Sequence, residues 1–318
     1  RKTLVISLVL GFITGIILSL TLLQRRDKDR SDKELGPEET VELFCRAVAS
    51  GDFTGAYALC DDVPHFLSDN GVFYLTSVDI TAKATVKNCS YFADSIIRRE
   101  NAEGAKLFYY NSHLYLSFPE SRHVYVFNTN AKAYSSLAGS DHYVYEVFLW
   151  TDVEAFEFLC LDGVLYFVTK DGKLMRFKEH GSINCYSDEH DGEHHAIDAY
   201  FKTKAFDDGS FMTLKNMRKR GCGAALKPFT RSSATIYVIT DRDEKELKEL
   251  SSDIFDWTYI DFVRFEFTAN PAIRIMPFNT KVKKYATIQF YVRNNEVGES
   301  FGVIGLEKAY TFGNYKKN

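Results

Sequence analysis

The sequence predicts a mainly β protein: partial β-propeller blades followed by a jelly-roll-like β-sandwich, preceded by a transmembrane helix and a short helical spacer. Three observations predict it: an uncharged amino-terminal run, a hairpin written three times, and period-two strands toward the carboxyl end. The boundaries expected are residues 1–30 for the anchor and its flank, 31–62 for the spacer, 63–196 for the blades and 197–318 for the sandwich. With 318 residues, 45% of them hydrophobic and 15% aromatic, the chain can bury a sizeable core.

Thr3 to Gln24 is a run of 22 residues without a charge, flanked by Arg1 and Lys2 before it and by Arg25, Arg26, Lys28 and Arg30 after it. That length spans a bilayer. A cleaved signal peptide is the alternative, but Leu22-Leu23-Gln24-Arg25 reads as a stop-transfer flank. Gly11 and Gly15 offer a small-x-x-x-small pair for close helix approach. Residues 3–24 are therefore the expected membrane contact, with the orientation open.

After the polar stretch Asp27 to Gly36, Pro37 stands at a first helical position with Glu38 and Glu39 behind it. Val41, Phe44, Cys45 and Val48 fall on one stripe, and Phe53 to Cys60 reads as a second short helix. The six cysteines carry no C-x-x-C pair, so mostly reduced, buried thiols are expected. A pairing of Cys45 with Cys60 across the two helices is the one disulfide the reading allows.

The hairpin recurs at Ser68-Asp69-Asn70-Gly71-Val72-Phe73-Tyr74-Leu75, at Tyr110-Asn111-Ser112-His113-Leu114-Tyr115-Leu116 and at Leu161-Asp162-Gly163-Val164-Leu165-Tyr166-Phe167. Tyr74, Tyr115 and Tyr166 stand 41 and then 51 residues apart. Recurrence of a whole hairpin at about 40–50 residues marks propeller blades, each burying its face on a neighbour. Further strands follow at His123 to Phe127 and at Lys173 to Phe177, the latter after the turn Lys170-Asp171-Gly172. Tyr and Phe are expected on one face and polar groups on the other. Three units are fewer than the roughly four or more of a closed propeller, and the chain opens on Arg1 rather than Met. The expectation is the last part of a longer propeller, or a ring completed by another copy.

Toward the carboxyl end, strands are expected from Ile197, over Ala234 to Ile239, Tyr259 to Phe267, Ala272 to Ile275, Lys284 to Val292 and Gly302 to Phe312. Turns are expected at Asp207-Asp208-Gly209, Asn270-Pro271 and Asn294-Asn295. One helical excursion is expected near Asp243 to Leu250.

Candidate chemistry is sparse. His190 and His194 would reach one metal only on a helix, and Gly192 between them points to a solvated loop. Asp171-Gly172-Lys173 resembles part of a sialidase Asp-box, but no Ser-x-Asp-x-Gly-x-x-Trp is present. No enzyme and no cofactor are expected. Lys215, Arg218, Lys219 and Arg220 form the strongest basic run outside the anchor, a contact loop for DNA or an acidic surface, or else a solvated loop guarding a sheet edge. A net charge of -4 excludes general nucleic-acid coating. Trp150 and Trp257 would stack on sugars if exposed, although core packing is the commoner fate.

Two resemblances add to this. Residues 37–60 are similar to the opening helices of membrane-anchored, cystatin-like bacterial lipoproteins, but the curved sheet of that family does not follow. The segments Asn88 to Glu100, Tyr115-Leu116-Ser117-Phe118, Tyr143 to Trp150, Asp171 to Phe177 and Lys281 to Tyr285 resemble an uncharacterised family of virion proteins from phages and prophages of Firmicutes, collinear over about residues 66–318. That resemblance implies a structural protein of the tail or neck that docks on other virion subunits or on copies of itself. Membership would place the protein in the virion. The alternative is a membrane-anchored extracellular protein whose propeller binds a glycan or a protein.

Overall fold

Each of the three tyrosine hairpins is a two-stranded antiparallel turn-back inside a larger sheet. The computed structural model describes residues 57–60, 63–75, 86–135, 142–178, 186–190, 192–255, 257 and 270–315. The expected anchor, its flank and the spacer up to residue 56 lie outside them. Among the described residues no helix is long and apolar enough to cross a membrane. The chain divides into two compact units, one ending at Phe177 and the other beginning at Lys178, earlier than the boundary expected after residue 196.

In the first unit three antiparallel sheets follow one another, each with its strands in chain order. The first holds β1 (Tyr57–Cys60), β2 (Val63–Ser68), β3 (Gly71–Leu75) and β4 (Val86–Asn88). After a one-turn helix, α1 (Asp94–Ile97), the second holds β5 (Lys106–Tyr110), β6 (His113–Phe118), β7 (His123–Ser135) and β8 (His142–Trp150). The third holds β9 (Glu157–Leu161), β10 (Val164–Val168) and β11 (Leu174–Arg176). Turn chemistry sets the hairpins. Asn111 and Ser112 both take positive φ (47° and 60°), as do Asp162 and Gly163 (52° and 75°), the mirror-image turn that matches strand twist.

Side-chain alternation then decides what each face covers. On β3, Val72 and Tyr74 face a core shared with Leu114 and Leu116 of β6 and with Phe127 of β7. On β6, Tyr115 points the other way, into a core shared with Phe158 of β9 and Leu165 of β10. The second sheet is thus covered on both faces. Phe108 and Phe158 stack across the second seam at 5.9 Å, and Tyr115 meets Trp150 at 5.8 Å, contacts worth roughly 0.5–1.5 kcal/mol each beyond area burial. Lys106 pairs with Glu157 across the same seam at 3.2 Å.

The link from β4 into α1 is clamped by short hydrogen bonds. Ser90 Oγ donates to Asp94 Oδ1 at 2.5 Å and accepts from the Val72 backbone N–H at 2.7 Å. Asn88 Nδ2 donates to Asp94 Oδ2 at 2.6 Å. Gly71, with φ of 121°, leaves the space this cluster fills.

The second unit opens with a hairpin of β12 (Ser187–His190) and β13 (Glu193–Ala196). It continues through β14 (Ala199–Lys202), β15 (Thr213–Met217), β16 (Gly223–Lys227), β17 (Ser233–Thr240), β18 (Glu244–Ser251), β19 (Arg274–Pro277), β20 (Val282–Tyr285), β21 (Ile288–Asn294), β22 (Gly302–Glu307) and β23 (Tyr310–Tyr315). These ten strands form three sheets, in the orders β14-β21-β17-β18, β20-β15-β23 and β19-β16-β22. One core joins them: Ile236, Val238, Phe290 and Val292 from the first pack with Met217, Leu226, Val282 and Tyr285 from the other two.

Three expectations need correction. Tyr57 to Cys60 is not the end of a helix but strand β1, paired with β2 from Tyr57↔Phe66 to Cys60↔Val63. Cys60 therefore sits on a strand, and Cys45 lies outside the described residues. The helix expected near Asp243 to Leu250 is strand β18. Register jumps there, Ile236 opposing Lys248 and Tyr237 opposing Glu246, so Leu247 is the extra residue of a bulge. The bulge turns both Leu247 and Leu250 inward, which gives a strand the spacing of a helix. Third, the basic run is not one loop: it covers the end of β15, a turn, and the start of β16. The strand expected over Tyr259 to Phe267 lies outside the described residues. Cys89 and Cys222 are buried as expected, whereas Cys160 is exposed.

Candidate binding faces

The second unit presents one aromatic face. Along β21 the core takes Ile288, Phe290 and Val292, so Gln289, Tyr291 and Arg293 face away from it. Register brings Tyr237 of β17 beside Tyr291, and Lys202 of β14 beside it on the other side. Tyr237 and Tyr291 lie 5.5 Å apart, Tyr200 meets Tyr291 edge-on at 5.8 Å, and the Lys202 ammonium stands 4.6 Å above the Tyr291 ring. Arg293 gripped bidentately by Asp198, at 2.6 and 3.0 Å, closes one end of the row. Glu244, Glu246 and Glu249 of β18 line the other side, opposite Ile239, Tyr237 and Thr235. Partial burial, with Asp198, Tyr200 and Glu244 nearby, raises the Tyr291 phenol against the lowering pull of Arg293. Tyr200 is 62% exposed. The row offers stacking surface and planar polar groups, with carboxylates in excess, so it does not suit phosphate backbones.

The first unit presents an apolar face. On β10, Leu165 and Phe167 turn toward the second sheet, so Val164, Tyr166 and Val168 turn away from it. Register adds Leu161 opposite Val164, Leu159 and Arg176 on either side of Tyr166, and Leu174 and Glu157 on either side of Val168. Leu161 and Leu174 are 56% and 58% exposed.

The residues singled out in the sequence are scattered. His190 and His194 lie on the two strands of the β12–β13 hairpin, where His190 opposes Glu193 and Glu189 opposes His194. The two are not register partners, and among the described residues no group of three or more His, Cys, Asp or Glu side chains is placed to hold a metal ion. Arg218, Lys219 and Arg220 are exposed in the turn after β15. Lys215 is not with them: it is wholly buried on β15, its ammonium donating to the carbonyls of Ser210 and Ala286, the latter at 2.9 Å. Its charge is spent inside the unit. Trp150 packs into the second seam against Phe177, at 5.4 Å, whereas Trp257 is 76% exposed.

Two buried polar contacts went unread. His65 Nε2 meets the Tyr145 hydroxyl at 3.0 Å between the first two sheets, and Glu100 accepts from His123 at 2.8 Å and from Tyr125 at 2.6 Å. A lone histidine and a lone glutamate give no sequence signal, because their partners are brought in by the fold. No protein-family model matches this chain, and no curated protein matches it either.

Proposed function

We propose that the chain is a non-catalytic structural protein of a phage or prophage particle, which works by docking on neighbouring subunits. The observation that carries this reading is the open face of the third sheet. In the first two sheets the face bearing Tyr74 or Tyr115 is covered by the sheet that follows. In the third, the face bearing Tyr166 keeps Leu161 and Leu174 exposed. We read the stacked sheets as blades of a partial propeller, and the second unit as a jelly-roll-like sandwich around one core. The occupant that continues the series is a further sheet of the same kind, supplied by another copy of this chain. Burying the face yields roughly 25 cal/mol per Å² of apolar area, and stiff stacked sheets add little ordering cost.

Sedimentation of the full chain tests the face. The wild type self-associates, and Leu161→Glu with Leu174→Glu leaves a monomer of unchanged circular dichroism; a wild type that stays monomeric at every concentration overturns it. Antibody detection tests the setting. The chain is expected in purified particles, and its confinement to membranes overturns that assignment.

The tyrosine row favours a second reading, a protein anchored through residues 3–24 that binds a glycan outside the cell. Retention on a neutral polysaccharide column, lost in Tyr200→Ala with Tyr291→Ala, would support it.

A further inference from the structure

A buried amine and a buried carboxyl meet in the second unit, outside every face described so far. Asp208 lies in the turn before β15 and Lys308 in the turn between β22 and β23, 100 positions later. The Lys308 ammonium donates to Asp208 Oδ1, and the two side chains are 13% and 8% exposed. The rings of Phe206 and Tyr310 each stand 5.1 Å from Lys308 Nζ. Asp208 Oδ2 accepts from the hydroxyl of Tyr285 at 3.4 Å, and Tyr285 is wholly buried. Backbone geometry holds the carboxyl in place: Asp208 and Gly209 take φ of 51° and 84°.

An ion pair shut away from water loses the hydration that keeps both partners charged. Transfer of the shared proton from Nζ to Oδ1 turns the pair into an amine against a carboxylic acid. Those are the reactants of amide formation. Holding them in contact substitutes for concentration, with effective molarities on the order of 10⁵–10⁸ M in well-oriented cases. Burial, and then the charge of Asp208, raise the Tyr285 phenol, so it keeps its proton and remains a donor. The other buried amine, Lys215, meets only backbone carbonyls among the contacts described, which offer nothing to acylate it.

We propose that Lys308 and Asp208 condense into an intramolecular amide that staples the two turns together. The Nζ lone pair attacks Cγ of Asp208 and forms the Nζ–Cγ bond. The Cγ–Oδ1 bond breaks as Oδ1, already carrying the first proton from Nζ, takes a second one from it and leaves as water, while Oδ2 stays as the amide oxygen under the Tyr285 hydroxyl. Amine and acid give amide and one water; no electrons change hands and no co-reactant enters.

Intact mass of the purified full chain decides the matter. The wild type is expected to weigh one water less than its sequence, and its tryptic digest to contain a branched peptide joining the Asp208 and Lys308 segments. Lys308→Arg and Asp208→Ala should each restore the full mass. Tyr285→Phe should slow the appearance of the lighter species after refolding. A wild type at full sequence mass, with both segments recovered as linear peptides, overturns the proposal. So does a lost water with only linear peptides, which a cyclic imide at Asp208-Gly209 would produce. Because the wild-type measurement suffices, a variant that fails to fold does not blunt the test.

Discussion

His65 on the first sheet and Tyr145 on the second meet at 3.0 Å, imidazole Nε2 to phenol oxygen, with both rings buried in the seam. Tyr74 stacks on both, at 5.5 Å from His65 and 6.3 Å from Tyr145. The other imidazole nitrogen, Nδ1, lies 2.9 Å from the Val63 carbonyl. Tyr145→Phe keeps the ring and removes the hydroxyl, taking a buried hydrogen-bond partner from His65. Chemical denaturation should show a loss of about 1–3 kcal/mol in the first unit, with an unchanged slope.

The opposite sign is expected at Ser117. Its side chain is wholly buried on β6, and its Oγ has no hydrogen-bond partner among the described residues. An unpaired buried hydroxyl costs roughly 1–3 kcal/mol, so Ser117→Ala should raise the denaturation midpoint, and a lowered midpoint would show that the hydroxyl is satisfied in solution.

How far the sequence disclosed this unit depends on the residue considered. The three hairpins were legible because turn residues and tyrosines are local signals. What went unread on β6 was that both faces are covered: Leu114 and Leu116 serve one seam while Tyr115 serves the other. Aromatic on one face and polar on the other is the pattern of a half-exposed sheet, whereas a doubly covered strand reads as a continuous apolar run. The bulge at Leu247 disguised β18 as a helix for a related reason, since periodicity assumes a regular strand. Lys215 misled because side-chain type says exposed while the fold supplies two carbonyls. The tyrosine row needed the pairing of β14, β21 and β17, which are distant in sequence.

Glu100 should make the first unit acid-sensitive. Burial alone would raise its carboxyl, but hydrogen bonds from Ser121, Tyr125 and His123 outweigh that and hold it below the usual carboxylate range. A carboxyl lowered by folding contributes stability at pH values above its unfolded value, and that contribution fades as the pH falls through the folded one. Glu100→Gln should therefore cost stability near neutral pH and flatten the acid limb of a stability–pH profile. Parallel wild-type and variant profiles would refute the role given to this carboxylate.

At the alkaline end Tyr115 is the reporter. Burial, then the nearby Tyr110, push its phenol up to about 12. A raised phenol stabilises the fold below its unfolded value, near 10, and that stability drains as the pH climbs toward the folded one. Ultraviolet titration should show a tyrosinate fraction that ionises late, together with loss of the second seam, and Tyr115→Phe should shrink that fraction by one tyrosine, since burial also raises Tyr125, Tyr145 and Tyr285.

Gly71→Ala should be among the most damaging small changes in the chain. A Cβ there would sit 2.2 Å from Asp94 Oδ1 and 2.6 Å from Ser90 Oγ, at a φ of 121° that alanine rarely adopts. Several kcal/mol of destabilisation is expected, roughly 3 or more, measured as a fall in melting temperature. A near-neutral result would mean that the clasp around Asp94 moves aside.

The double duty of β6 has a consequence for how this protein can change. With Leu114 and Leu116 lining one interior and Tyr115 and Ser117 the other, a single-residue deletion inside the strand would exchange the two linings and spoil both at once. The Asn111-Ser112 bend just before it carries no such burden. Heritable variation in length should therefore collect at the bends, while the strand admits only substitutions matched in volume and polarity to its neighbours.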